Sequence, residues 1–304
     1  MLYLGIDTSN YTTSASLVDE NGVIVADSRL PVKVGKNERG IRQSDAVFAH
    51  IKNMPEVMKG LGELKDDLAA VGVSYAPRDA KGSYMPCFLS GVACAASVSQ
   101  VSGAEYLEFS HQAGHIAAAV CTAGREELLN GRFLAFHVSG GTTDLLLVDS
   151  LNIERVGGTL DLNAGQAIDR VGVMLGLDFP CGRELEMISD PMDTVRPMSS
   201  VKGTECNLSG LENRAADMLK KGDPPSKIAA FTLASVLDTL DKMCENAIEK
   251  YGMLPTVFAG GVTANTYIKQ ALSKKYDALF THPDYSRDNA VGIAYLTRKK
   301  MLGI

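Results

Sequence analysis

The sequence predicts an α/β chain of two lobes with duplicated β-sheet subdomains, residues 1–128 and 129–304. Three observations carry this reading. TSNYTTSASLVD (Thr8 to Asp19) and VSGGTTDLLLVD (Val138 to Asp149) align without a gap, 130 residues apart (139 − 9). They match at Ser9 with Ser139, Thr12-Thr13 with Thr142-Thr143, and Leu17-Val18-Asp19 with Leu147-Val148-Asp149. Apolar runs of strand length precede both copies, Leu2 to Ile6 and Phe133 to Phe136. A third turn, Gly260-Gly261, follows the buried-strand run Thr256 to Ala259 and leads through Val262-Thr263-Ala264-Asn265 into a helix. In that helix Tyr267, Ile268, Ala271 and Leu272 recur at helical spacing.

Taken in order, each copy of the turn reads as strand, small-residue turn, strand, with Ser14 to Val18 and Asp144 to Val148 as the returning strands. Glu20-Asn21-Gly22 is a hairpin signal before Val23 to Ala26. Ser110 is placed to cap a helix beginning at His111. After Pro224-Pro225, Ser226 reads as the cap of a long amphipathic helix from Lys227 to Lys250 that packs in the core. The basic run in Leu296 to Lys300 reads as a solvated helix end, where cations are favoured.

Bulk composition narrows the function classes. A chain of 304 residues, 45% hydrophobic and 22% charged, is long enough for two separate cores. No run of eighteen apolar residues and no basic-then-apolar leader is found, so a cytoplasmic protein with no membrane partner is expected. The six cysteines (Cys87, Cys94, Cys121, Cys181, Cys206, Cys244) form no C-x-x-C, which excludes a zinc ribbon and predicts reduced, mostly buried thiols. With a net charge of −6 and a pI near 5.5 there is no general basic face. A nucleic-acid partner would need a local patch or another subunit to supply the positive field.

A tight turn rich in Gly, Ser and Thr gathers backbone N–H groups and hydroxyls at one spot, which is what a phosphate oxygen needs. Two such turns, Asp7 to Thr12 with Ser9 and Ser139 to Thr142, could hold one polyphosphate, while Gly260-Gly261 lets a flat base lie against backbone. This is the arrangement of the actin, Hsp70 and sugar-kinase (ASKHA) superfold, and it specifies an architecture, not a reaction. HQAGH puts His111 and His115 four residues apart on one helix face, a metal-ligand spacing. The same spacing also suits two histidines that are merely solvated or satisfied in a core. A metal needs a third ligand, for which Asp288 is the first candidate and His282 its rival. No Glu follows His111, so the general base of a zinc peptidase is missing.

LGIDTS, HQAGH, VSGGTT, GGTLDLNAGQAIDRVGVMLGLDFP, LSGL, GGVTAN and DNAVGIAY, in this order over nearly the whole chain, resemble the successive motifs of the tRNA threonylcarbamoyladenosine synthase family. That family is also called TsaD and was formerly described as a glycoprotease or O-sialoglycoprotein endopeptidase. The resemblance implies a two-lobed actin-like fold with ATP or an adenylate and one divalent metal ion (Fe2+ or Zn2+) in its cleft. It implies transfer of a threonylcarbamoyl group from threonylcarbamoyl-AMP to the amino nitrogen of a tRNA adenosine beside the anticodon, with other subunits of a threonylcarbamoylation complex as partners. Residue by residue, it makes His111, His115 and Asp288 the metal ligands, and His137, Val138, Ser139, Gly140 and Gly141 the substrate loop. Asp169 becomes the ribose-holding carboxylate, Gly182 the glycine facing the nucleoside, and Asn265 a nucleotide-contacting amide.

Departures from the family pattern cluster at charged positions. DTSNYTT stands where the family reads ETSCDET, so Tyr11-Thr12 replace an acidic pair. GGTLDLNAGQAIDR stands for GETLDDAAGEAFDK, removing carboxylates at Gly158, Leu162 and Gln166. Pro77 to Phe88 replaces a glycine-rich segment, and Arg39 to His50 replaces G-G-V-V-P-E. The pattern is that of a divergent paralogue. Two other classes stand beside the transferase: a catalytically reduced ATP-binding paralogue acting through a partner subunit, and, lowest, a metallopeptidase.

Overall fold

The computed structural model describes all residues except 10, 34–40, 64–67, 151, 191–194 and 283–289. Asp288 therefore lies outside the described residues. In chain order the elements are β1 (Leu2–Asp7), β2 (Thr12–Asp19), β3 (Ile24–Pro31), α1 (Gln43–Gly60), β4 (Leu68–Ala76), α2 (Phe88–Ser102), β5 (Glu105–Ser110), α3 (His111–Thr122), β6 (Arg132–Val138), β7 (Thr143–Asp149) and β8 (Asn152–Thr159). They continue as α4 (Ala164–Met174), α5 (Gly182–Ile188), β9 (Ser200–Lys202), β10 (Glu205–Asn207), α6 (Gly210–Lys220), α7 (Pro225–Tyr251), β11 (Thr256–Ala259), α8 (Thr266–Lys275), β12 (Ala278–Phe280) and α9 (Ala290–Leu302).

The chain divides into two compact units, Met1–Glu126 with Asp284–Ile304, and Glu127–Pro283. The first holds a five-stranded sheet in the order β3-β2-β1-β4-β5, with β1, β2 and β3 antiparallel and β1, β4 and β5 parallel. In the second, β8-β7-β6-β11-β12 repeats that order and those directions within a seven-stranded sheet extended by β10 and β9. The repeat holds residue by residue. Leu2 pairs with Asp19 and Asp7 with Ser14, while Arg132 pairs with Asp149 and His137 with Asp144, each shifted by 130 (132 − 2, 149 − 19). The sequence match is thus the trace of a duplicated hairpin, whose strands are buried on both faces and whose register is the same in the two copies.

Each core follows from its strand composition. In the second unit Phe136, Phe258 and Phe280 stand side by side across β6, β11 and β12, their rings stacked at 4.9 and 5.0 Å. Such offset-stacked rings fix the parallel pairing as well as burying area. In the first unit Leu4, Ile6, Leu17, Val71 and Val73 are buried beneath α1 and α2. All six cysteines are free, and five are buried.

Three expectations are corrected. The boundary at 129–304 gives way at its C-terminal end, because α9 packs on β1, β2, β4 and α3 of the first unit. The long helix begins at Pro225 with Pro224 as its N-cap, so Ser226 is inside the first turn; proline at that position has no N–H to lose. Two of the three cations in the basic run of α9 are buried, Arg298 at 7% and Lys299 at 4% exposed, and Lys300 is solvated. Arg298 bonds Glu126 at 2.7 Å and donates to the Glu20 carbonyl at 2.9 Å, and the Lys299 ammonium reaches the Ile304 carbonyl.

Buried His50 on α1 accepts or donates one bond at Nδ1, to Thr13 Oγ1 at 2.8 Å. Burial pushes its pKa below the ordinary value, against a smaller upward pull from Asp7. The unfolded chain then binds the extra proton more readily, so this contribution to stability is present above about pH 6.5 and is lost as pH falls through the depressed folded value. Wild type is expected to lose more of its urea midpoint than His50→Gln between pH 7.5 and pH 5.5. Equal losses in the two proteins would show that His50 is not the group responsible.

Candidate functional site

In the first unit, Asp7 at the end of β1 is the organising group. It is 1% exposed, and its carboxylate accepts from the Ser74 hydroxyl on β4, from Ser9 Oγ at 3.0 Å, and pairs with His111 Nδ1 at 3.1 Å. Burial works to raise the Asp7 pKa, but the attraction of His111 and the hydroxyl donors outweigh it and hold the carboxyl below its usual range. His111 and His115 face each other on α3 with ring centroids 4.6 Å apart, edge to face. Ser110 caps this helix as the sequence predicts, accepting from Ala113 N at 3.1 Å, and its hydroxyl also donates to Asp79 at 2.6 Å. The segment that departs from the family pattern, Pro77 to Phe88, is thereby stitched to the start of the histidine helix.

The donor chemistry of this pair fits a metal ion. With Nδ1 held by Asp7, Nε2 is the His111 nitrogen that would bind an ion, and a buried carboxylate behind an imidazole is the outer partner that metal-bound histidines use. Among the described residues, no group of three or more His, Cys, Asp or Glu is placed to hold a metal. Asp288 is outside the described residues, and the rival His282 is an exposed residue of the second unit.

The two hydroxyl turns have diverged in hydrogen bonding. Thr12 N donates to the Ser9 carbonyl at 3.1 Å in the first, whereas Ser139 N donates to the Thr142 carbonyl at 2.7 Å in the second. Ser9 is turned in toward Asp7, and Tyr11 is 47% exposed. His137 and Val138 are buried strand residues that carry the second turn, while Gly140 and Gly141 are exposed and a Cβ on either would meet nothing within 4 Å.

Of the remaining predicted nucleotide residues of the second unit, Asp169 and Gly260, with the immediate neighbours of Gly182 and Asn265, fall on one circuit of contacts, while Gly261 is exposed beside it. Gly165 N, in the first turn of α4, donates to the Ser139 carbonyl at 3.2 Å, and a Cβ there would lie 2.6 Å from Gly140 N. Ala164 N donates to Thr143 Oγ1 at 2.8 Å, so the start of α4 is pinned against the turn. One turn and a half along α4, Asp169 Oδ1 accepts from Cys181 N at 2.8 Å, next to Gly182 at the start of α5. Glu186 on α5 accepts from Thr266 N at 2.7 Å, next to Asn265. Asn265 Oδ1 caps α8 through Ile268 N at 3.0 Å, which leaves its amide N–H groups as donors. Gly260 closes the circuit: its φ of +101° is a conformation L side chains avoid, and a Cβ would lie 2.3 Å from the Val138 carbonyl. Burial pushes the Asp169 carboxyl above its ordinary value, partly offset by the Cys181 N–H.

Beside the circuit, Asp161 takes bonds from Leu162 N, Leu208 N, and both N–H and hydroxyl of Ser209. Burial opposes its ionisation, yet those donors hold its pKa far below the usual range. This braces GGTLD to LSGL, two motifs 47 residues apart. Asp161 and Glu186 escape the sequence reading because their partners are distant: Thr266 lies 80 residues beyond Glu186. Asp7 carried a weak signal, as a charged residue ending an apolar strand at a turn.

The family model for TsaD, tRNA N6-adenosine threonylcarbamoyltransferase, matches residues 28–295. The tRNA N6-adenosine threonylcarbamoyltransferase of Thermosipho africanus (strain TCF52B) is 29% identical over 313 residues, covering 97% of this chain and 92% of that one. Component A of the (R)-2-hydroxyglutaryl-CoA dehydratase of Acidaminococcus fermentans superposes with a TM-score of 0.61 at 17% identity, covering 99% of each chain. A ROK hexokinase from Thermus thermophilus does so with a TM-score of 0.54 at 13% identity, over 100% of each. At such identities these structures establish the fold, the actin, Hsp70 and sugar-kinase architecture, and nothing of the reaction.

Proposed function

The chain belongs to the TsaD family of tRNA N6-adenosine threonylcarbamoyltransferases, a transferase family, and from that premise we propose that it binds the adenylate of threonylcarbamoyl-AMP on the circuit of its second unit and transfers the threonylcarbamoyl group to a tRNA adenosine. The observation that carries the adenylate reading is the circuit itself, which links Ser139, Gly140, Asp169 and Gly260 with Cys181 and Thr266, the immediate neighbours of Gly182 and Asn265. The Ser139 to Thr142 turn offers backbone N–H groups to phosphate. The second oxygen of Asp169 accepts from ribose hydroxyls, and Gly260-Gly261 with Asn265 faces the base. In the transfer, the adenosine amino nitrogen bonds the carbamoyl carbon as the bond from that carbon to the phosphate oxygen breaks; AMP leaves and the nitrogen loses a proton.

His111 and His115, with Asp7 behind His111 and Asp288 as third ligand, would hold one divalent ion, Fe2+ or Zn2+. When bound, such an ion supplies Lewis acidity and a template for oxygen ligands. Among the described residues no helix is long and apolar enough to cross a membrane. The proposed reaction is a cytoplasmic one, on tRNA and together with other subunits. The reduced-paralogue reading keeps one observation in its favour: Tyr11, half exposed, and Thr12 stand where the family has acids. This leaves less negative charge near the first turn, which suits an anionic nucleotide and activates an acceptor amine poorly.

The test supplies threonylcarbamoyl-AMP and unmodified tRNA, with and without the partner subunits, and follows the modified nucleoside. Transfer is expected to be weak with the chain alone and to rise with partners. No transfer under either condition, with nucleotide binding intact, would favour the reduced paralogue. Gly141→Val is expected to weaken adenine-nucleotide binding at least about ten-fold while leaving Tm unchanged, because open space surrounds that position in the folded chain. A folded Gly141→Val protein that binds nucleotide as well as wild type would show that phosphate is not held at this turn.

A further inference from the structure

Two residues that belong to none of the predicted nucleotide sets stand directly behind the second turn. Asp144 is the second residue of β7, 4% exposed, and its Oδ1 accepts from Arg155 Nε on β8 at 3.0 Å. The same guanidinium forks onto Glu205 of β10, Nη1 to Oε1 at 3.0 Å and Nη2 to Oε2 at 3.1 Å. One arginine thus ties three neighbouring strands, beginning two residues beyond Thr142.

A register shift makes this possible. Leu145 pairs with Gly157 but Leu146 with Arg155, so Val156 is an extra residue in β8, a bulge of the kind that re-aims a side chain. Side chains alternate between the faces of a sheet, so strict alternation would put Arg155 and Gly158 on opposite faces. With the bulge both share the face of Asp144: Asp144 is opposite Gly158, and Leu146, two residues on, is opposite Arg155. The pair also requires glycine at 158. Its φ is +144°, and a Cβ would lie 2.4 Å from the Thr143 carbonyl oxygen, 2.7 Å from Arg155 Nη2 and 3.0 Å from Asp144 Oδ1. This is a position where a carboxylate of the family pattern is missing, and the acid beside it here comes from β7.

Charge decides what the pair does. The turn offers N–H groups to an anion, whereas a buried carboxylate two residues away repels one. The guanidinium cancels that repulsion. Thr143 faces the other way and accepts from Ala164 N at 2.8 Å, so the attachment of the turn to α4 does not run through Arg155.

We propose that Arg155 is a positioning residue for polyphosphate: by neutralising Asp144 it keeps the Ser139 to Thr142 turn receptive to an anion, without itself touching the ligand. The inference rests on the phosphate reading of that turn given above. It separates the two ends of the nucleotide, since adenosine carries no charge for Asp144 to repel.

The experiment measures binding of inorganic tripolyphosphate and of adenosine by calorimetry, with Tm for each protein, for wild type, Arg155→Leu, Asp144→Asn and the double variant. Arg155→Leu is expected to weaken tripolyphosphate binding about ten-fold and to leave adenosine binding within about two-fold. Asp144→Asn and the double variant, both without the buried carboxylate, should bind tripolyphosphate within about three-fold of wild type or more tightly. A role confined to bracing the strands gives a different result, because the double variant lacks the brace as fully as Arg155→Leu does. Tripolyphosphate binding unchanged in Arg155→Leu, or a double variant as weak as Arg155→Leu, overturns the proposal. Should Arg155→Leu not fold, Arg155→Gln, which keeps an amide donor and removes the charge, carries the same contrast. Wild type that binds tripolyphosphate no better than Gly141→Val overturns the phosphate reading of the turn, and this inference with it.

Discussion

A Gly292→Val chain is expected to lose the stable fold of its first unit. Gly292 lies on α9 where that helix crosses α3, and a Cβ there would be 1.9 Å from the Gly114 carbonyl oxygen and 2.9 Å from Ala118 N. Both obstacles are backbone, so no rotamer change relieves them and the helices must separate. Separation is costly here because α9 is buried from Ala290 to Lys299 and α3 from Gly114 to Cys121. Overpacking with side-chain relief costs about 1–3 kcal/mol, and a clash that displaces a buried helix belongs with the exceptional losses of roughly 4 kcal/mol or more. At about 2–4 °C per kcal/mol, Tm should fall by roughly 10 °C or more. A Gly292→Val protein melting within a few degrees of wild type would show that α3 and α9 are not packed this closely. Gly114 sits between His111 and His115, so the same close crossing that stabilises the unit also fixes the helix carrying the histidines.

Local pattern and contiguous repetition explain what could be read from the sequence. The duplicated hairpin was legible because a conserved register keeps buried positions buried, and the offset of 130 survived in the residues that pair. The histidine helix was legible from its cap and its spacing, and α8 from its periodicity after the Asn265 cap. What was not legible depends on distant partners. Arg298 and Lys299 look like a solvated helix end until Glu126 and the Glu20 carbonyl are placed beside Arg298. A cation is buried only when it is paired, and the pairing partner of Arg298 lies 172 residues away. The same holds for Glu186 and Asp161, whose roles lie in backbone donors of remote helices and loops. The matching turns also hid a difference, since similar residues at Ser9 and Ser139 support opposite directions of the closing hydrogen bond; the first turn answers to Asp7 and the second to α4.

The second large effect concerns the metal proposed for the first unit. After dialysis against buffer containing a divalent ion and then against buffer alone, His115→Ala is expected to retain little of the metal held by wild type, and Asp7→Asn to hold it about 10–100-fold more weakly. The two differ because His115 would donate directly, whereas Asp7 would act through His111: its carboxyl, held below its usual range in spite of burial, would favour the tautomer with the proton on Nδ1. Asparagine can still present an oxygen to that N–H, so orientation survives in part while the charge that raises the basicity of the ring is lost. Elemental analysis gives the metal content and thermal melts separate it from misfolding, since His115 is 5% exposed and its truncation leaves a small void. If folded His115→Ala carries as much metal as wild type, the ion is not held by α3. A normal affinity in Asp7→Asn together with loss in His115→Ala would keep the histidines as ligands and remove Asp7 from their support, leaving its buried bonds to Ser74 and Ser9 as purely structural ties between β1, β4 and the first turn.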